Sequence, residues 1–367
     1  MLRSMTCGVL VGLIAAAAIS ARAEESSAQA GSLDARYAVN TAGEITGVDL
    51  RGVWVTDHDL QKLTQWPKVE RIDLAYTKVT DLGLEHLAAL KHVKALDLYY
   101  AEYVTDVGIA HLKSWRELEH LNLRGTKVTS SVFEHISKMT KLKSLDVGHS
   151  RVNDDLFEDL ASLEHLEHLS FGGNKMSGVC LPLLKLLPAL HELNVSGQQR
   201  TDSGLWSVAL TDFNIGQIAQ LDRLDVLDLG ETGVSDRGVA ELTRLKSLHT
   251  LDLRGTRTTS KGIAALAGLP MLRHLKLWQA KGIDDAAISS FLQMEKLEVL
   301  ELPETNVTAA GLLQLGAKKN LKQLFMGGID ITPEQLESIR SGLPDCRVSW
   351  WPKLKIEYAE RRGRGGN

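Results

Sequence analysis

Hydrophobic positions along this chain repeat in rows of about 24 residues, and each row changes its period halfway. In the row that starts at Val69, Ile72 and Leu74 alternate with polar residues, the period-two pattern of a strand buried on one face. Leu84, Leu87 and Leu90 then recur at three-residue steps, the apolar stripe of a helix. The same switch returns in rows starting at Ile45, Val93, Leu118, Leu142, Leu166, Leu190, Leu224, Leu248, Leu272, Leu297 and Leu321. Twelve such rows predict a stack in which no row buries its apolar face alone.

Between strand and helix, each row places a residue suited to cap a helix. The column reads Thr56, Thr80, Thr105, Thr129, Asn153, Ser177, Thr201, Ser235, Thr259, Asp284, Thr308 and Thr332. Such side chains accept from the free N–H groups of the first turn. Asp57, Asp81, Asp106 and Asp236 follow four of them, where a carboxylate opposes the helix dipole. Gly83, Gly108, Gly238 and Gly262 are expected to admit the neighbouring helix. A second polar column, Thr77, Thr126, Thr232, Thr256 and Thr305 with Ser150 and Asn174, predicts a ladder bonding turn backbone from row to row.

Strands stack ~4.8 Å apart whereas helices need ~8–10 Å, so the array must bend with its strands inside. The expected fold is an α/β solenoid over residues 45–346, right-handed and curved, with a parallel sheet on the concave side and helices on the convex side. The row from Leu190, spanning 190–223, is about ten residues too long. The excess is expected near Trp206 to Ile218 on the helix side, as a contact loop, a longer helix or a kink between two subarrays.

A stack of this kind exposes apolar core at both ends unless it is capped. Residues 24–44 read as a linker and a hairpin, Arg36 to Asn40 and Glu44 to Leu50 flanking Thr41-Ala42-Gly43. Residues 347–367 read as a cap strand with Trp350 and Trp351, followed by a basic, frayed tail. Residues 1–23 read as a secretory signal: Arg3, an apolar run from Val9 to Ile19, and Ala21-Arg22-Ala23 as the cleavage site. The apolar run is shorter than the ~20 residues that span a bilayer. The mature chain is therefore expected to be secreted or periplasmic, with no membrane span. Cys7 leaves with the signal, and Cys180 and Cys346 lie too many rows apart for a disulfide, so both are expected to be buried free thiols.

Composition adds little beyond this. The net charge of -4 supplies no case for nucleic acid. No nucleophile elbow, HExxH or phosphate-loop pattern is present, so no catalytic residue, cofactor or metal is expected. His165 and His168 form an HxxH, but they fall at the end of one row and the start of the next and are not expected to converge. Two surface columns remain. The outward residue at the end of each strand reads Asp49, Asp73, Asp97, Asn122, Asp146, Ser170, Asn194, Asp228, Asp252, Lys276, Glu301 and Phe325. It is either the repeat's own consensus, softened by nearby arginines, or a site for a cationic partner. Just past the strands, Arg51, Tyr76, Tyr99, Tyr100 and Arg124 cluster in the first rows, with Arg254, His274 and Trp278 as a smaller group. Tyrosine and arginine dominate binding hot spots, which makes these eight the candidate binding residues.

The recurring Leu-Asp-Leu…Thr-x-Val-Thr-Asp-x-Gly-Leu pattern resembles the leucine-rich repeats of exported bacterial proteins, common in planctomycetes. It is also similar to the repeats of F-box adaptors and the wider ribonuclease-inhibitor-like class. The rows from Val93 and Leu272, each with one extra residue, carry the F-box-type likeness. The resemblance covers about residues 45–350 and implies a curved, protein-binding scaffold. It does not imply ubiquitin ligation, because no F-box segment is recognised and a signal peptide contradicts a cytosolic adaptor. The function expected is therefore non-enzymatic binding of a protein partner through the concave face. The alternatives are an envelope polysaccharide held by exposed aromatics, and an enzyme with an embedded site.

Overall fold

The computed structural model describes residues 33–353 except Ser203. The signal segment, most of the linker and the arginine-bearing tail lie outside the described residues. The chain forms two compact units that divide between Asp228 and Leu229, just after the long row. No helix among the described residues is long and apolar enough to cross a membrane.

In the first unit, β1 (Arg36–Val39) pairs antiparallel with β2 (Ile45–Asp49), the hairpin that opens the stack. One parallel sheet continues from it through β3 (Arg71–Asp73), β4 (Ala95–Asp97), β5 (His120–Asn122), β6 (Ser144–Asp146), β7 (His168–Ser170) and β8 (Glu192–Asn194). The hairpin β9 (Gln199–Thr201) and β10 (Gly204–Trp206) stands outside that sheet, and β11 (Val226–Asp228) pairs with β8. The second unit carries β12 (Thr250–Asp252), β13 (His274–Lys276), β14 (Val299–Glu301), β15 (Gln323–Phe325) and β16 (Arg347–Ser349), all parallel.

Register is in step from row to row, so Ile72, Leu96, Leu121, Leu145, Leu169 and Leu193 face the core together. The return segments supply the other wall: Leu84 and Leu87 from the helix Asp81–Leu87, Phe133 and Ile136 from the helix Val132–Ile136. Tyr37 packs edge-on to Trp66 at the N-terminal end, with ring centroids 5.3 Å apart. At the other end Trp350 donates through Nε1 to the Ile329 carbonyl, and the Trp351 ring fills the space over Gly327.

The polar columns differ from expectation in which residues link the rows. Thr77, Thr126, Thr232, Thr256 and Thr305 donate their hydroxyls to the carbonyl three residues back in their own row, at 2.6–2.8 Å. A threonine is too short to reach the next row. Asn174 is longer and does bridge, donating to the Val147 carbonyl and accepting from the Ser150 N–H. The repeating link is an aspartate that opens the helical segment in five of the rows. Asp57 accepts from the N–H and hydroxyl of Thr80, Asp81 from Thr105, Asp106 from Thr129, Asp236 from Thr259 and Asp285 from Thr308, all at 2.6–2.9 Å. Gly83, Gly108 and Gly262 make room for that carboxylate. A Cβ at any of them would lie 2.5–2.6 Å from the aspartate oxygen of the preceding row.

Thr201 is a second correction. It lies in β9 and caps no helix, because the extra residues of the long row form the β9–β10 hairpin between strand and helix. Val208 then bridges to Met176, and the row resumes with an ordinary short helix, Ile215–Ile218. The excess thus lies at 199–206, upstream of the expected 206–218. Cys180 is buried and Cys346 half-buried, and both are free.

Candidate binding surface

In the first rows the last outward side chain of each strand folds back onto the backbone. Asp49 accepts from the N–H of Arg51, Asp73 from Ala75, Asp97 from Tyr99, Asn122 from Arg124 and Asp146 from Gly148, at 2.7–3.0 Å. These Asx turns account for one oxygen of each side chain. The third residue after that side chain turns left-handed: Tyr76 has φ 57°, Tyr100 φ 53° and His149 φ 49°, where Gly52, Gly125, Gly173 and Gly197 hold the same place in other rows. A side chain there is projected off the sheet edge. Beneath Tyr100 and His149 the following row supplies a glycine, since a Cβ at Gly125 would lie 2.8 Å from the Tyr100 ring and one at Gly173 2.6 Å from the His149 ring.

This geometry brings together Tyr76, Tyr99 and Tyr100. Tyr76 and Tyr99 meet edge-on at 5.2 Å, Tyr99 and Tyr100 at 4.8 Å, and Tyr76 and Tyr100 lie near parallel, 13° apart at 5.9 Å. Tyr76 is 55% exposed. Beside them, outward small residues Gly47, Ala95 and Ser144 leave a groove of about 690 Å³ along β2–β6, floored by Asp49, Asp73, Asp97 and Asp146. Burial raises the Asp97 and Asp146 carboxyls above the ordinary aspartate value.

The two candidate arginines are already engaged. Arg51 spans Asp73 and Asp97 at 3.0 and 3.1 Å, spreading one cation over two carboxylates of the floor. Arg124 lies 3.7 Å from Asp146, with its side chain only 20% exposed, and covers Gly148. Both hold the groove in shape more than they reach into solvent. His149, which the sequence reading passed over, stands beside Arg124. Burial and that positive charge lower its pKa to about 4.

In the second unit the smaller group is dispersed in role. Arg254 lies 3.6 Å from Asp252, His274 Nε2 meets Glu301 at 2.6 Å, and Trp278 packs edge-on at 6.4 Å against the cap residue Trp351. Trp278 is 39% exposed, so part of it serves to close the end.

No protein-family model matches the sequence, and no curated protein is similar to it. Solved structures are. An internalin (InlF) from Listeria monocytogenes superposes with TM-score 0.57 at 21% identity, over 85% of this chain and 83% of that one. TLR13 in its complex with ssRNA13 gives TM-score 0.51 at 23% identity, over 83% of this chain but 42% of the other. The leucine-rich-repeat protein LIC12759 of Leptospira interrogans aligns at TM-score 0.42 and 20% identity, over 78% and 86%, too distant to carry an argument. Likeness at this level defines the fold, and with the repeat described above the chain is an α/β leucine-rich-repeat solenoid.

Proposed function

We propose that this chain is an exported, non-enzymatic scaffold that binds a protein partner across the open sheet face of its first unit. The tyrosine cluster carries the reading. Three rings stand within 4.8–5.9 Å of one another, two of them on left-handed backbone, and Tyr100 also lines a groove shared with His149 and Trp206. Large rigid rings beside a concave polar floor are the residue types that anchor protein interfaces. The floor's carboxylates are matched by arginines, Asp49 by Arg36, Asp73 and Asp97 by Arg51 and Asp146 by Arg124, so the partner is held mainly by the rings.

Affinity capture from the native host, with calorimetry on the partner recovered, tests the reading. Tyr99→Ala with Tyr100→Ala should weaken binding roughly 30-fold or more, the loss expected of hot-spot residues. Unaltered affinity in a folded double variant would sink the patch. A polysaccharide partner is the second reading, favoured by the near-parallel Tyr76 and Tyr100 rings and by Trp54, which is 80% exposed. A glycan array without a signal removes it.

A further inference from the structure

Two histidines one row apart converge at the start of β7 and β8. His168 opens β7, and His191 immediately precedes β8. Their rings meet edge-on with centroids 4.8 Å apart. Between them stands Glu167, whose Oε2 is 3.8 Å from His168 Nε2 and 3.9 Å from His191 Nε2. Each ring turns its other nitrogen to an outer carboxylate: His168 Nδ1 to Glu192 at 2.7 Å and His191 Nδ1 to Asp225 at 3.8 Å. The order is therefore carboxylate, imidazole, shared carboxylate, imidazole, carboxylate. One donor atom from each of Glu167, His168 and His191 lies within 4.8 Å of the other two.

We propose that Glu167, His168 and His191 bind a divalent transition-metal ion of the zinc class. The Glu167 separations are too long for hydrogen bonds yet close to what one small ion requires. Zinc bonds of ~2.0–2.1 Å in a tetrahedron place donors about 3.4 Å apart, so the Glu–His pairs need to close by only about half an ångström. All three side chains are 35–42% exposed and have the freedom to do so. With the Nδ1 proton donated to Glu192, the Nε2 of His168 that faces Glu167 is the nitrogen left to bind a metal, and such outer carboxylates raise ligand basicity. Asp225 lies on the same side of His191 at 3.8 Å, an ion-pair separation rather than a hydrogen bond. Three carboxylates surround the two imidazoles, a cluster whose negative charge a dication offsets. Lys143, the cation that faces Glu167, is held by Glu119 at 2.7 Å. Two imidazoles and one carboxylate leave a fourth position for water.

Zinc chloride titrated calorimetrically into the untagged full-length chain should show one saturable site. His168→Ala or His191→Ala should weaken it at least tenfold. Glu192→Gln should weaken it about 10- to 100-fold while keeping the stoichiometry, as loss of an outer partner does. His86→Ala, on a helix of another row, should leave it unchanged. Absence of saturable binding, or binding that survives the paired histidine substitution, overturns the site. Circular dichroism checks each fold. Should a histidine variant not fold, Glu167→Gln, which preserves side-chain volume, decides the question by the same tenfold criterion.

Discussion

Tyr100 holds a left-handed backbone, φ 53°, at a position where the next row has Gly125 at φ 74°. A non-glycine residue there gives up roughly 1 kcal/mol, and such cost concentrates where a side chain has work to do. Tyr100→Gly should therefore leave stability within about 1 kcal/mol, because relief of the turn offsets lost ring packing, yet weaken partner binding. Gly125→Ala should behave oppositely. Its Cβ would lie 2.8 Å from the Tyr100 ring on a left-handed backbone, so it should cost about 1–3 kcal/mol in urea unfolding. His149 occupies the same column and gives a pH dependence. Its pKa is near 6.5 in the unfolded chain and about 4 in the folded one. Between those values the unfolded chain takes up the proton and the folded chain does not. The contribution is thus present above about 6.5 and lost as pH falls toward 4. Asp97 and Asp146, with raised pKa values, act with the opposite sign, stabilising as pH falls through their own interval above 3.8. Comparison with His149→Asn isolates the histidine. The wild type should lose on the order of 1–2 kcal/mol more than the variant between pH 7 and pH 4, after discounting for partial exposure. A ring resonance of His149 titrating near 6.5 would contradict this.

At the scale of the elements, most of the architecture was legible because strand and helix periods alternate within every row. Leu123 is fully buried, as its place two residues after Leu121 implies. Leu123→Ala should destabilise by roughly 2–5 kcal/mol, and an unchanged melting point would mean the register is wrong. What periodicity could not say is which polar column joins the rows, since hydrophobic spacing carries no information about side-chain reach. Thr77 and Asp57 both looked like scaffold. Only the structure shows that the threonine closes its own turn while the aspartate grips the next row's Thr80 at 2.7 Å. Removing one rung should leave a half-buried N–H and hydroxyl unpaired. Asp81→Ala is expected to cost about 1–3 kcal/mol, and a double-mutant cycle with Thr105→Val should return a coupling above about 0.5 kcal/mol. Additive effects would mean that the aspartate serves its own helix alone.

At the scale of the whole molecule, the features hidden from the sequence are those built across rows. His168 and His191 are 23 residues apart, nearly one row, so a search for ligand pairs within a segment found His165 and His168 instead. The β9–β10 hairpin was hidden for a related reason, since the length of the row gave its excess but not the point of departure. That hairpin borders a second groove of about 440 Å³, lined by Tyr100, His149 and Arg151 on one side and by Gln199, Thr201 and Trp206 on the other. It therefore faces the tyrosine cluster from later in the same unit. Leu205 in the middle of β10 is 59% exposed, and the hairpin belongs to no sheet but its own two strands, so its contribution to the core is small. A segment that buries little and borders the candidate surface is better suited to contact than to support. Replacing Gln199–Trp206 with a short Gly–Ser linker should leave the melting temperature within about 4 °C of the parent, corresponding to less than ~1 kcal/mol in a unit of this size. It should also weaken the partner that Tyr99→Ala and Tyr100→Ala weaken. A large drop in melting temperature would make the hairpin part of the fold. Unchanged affinity in a folded variant would confine binding to the tyrosine side of the groove.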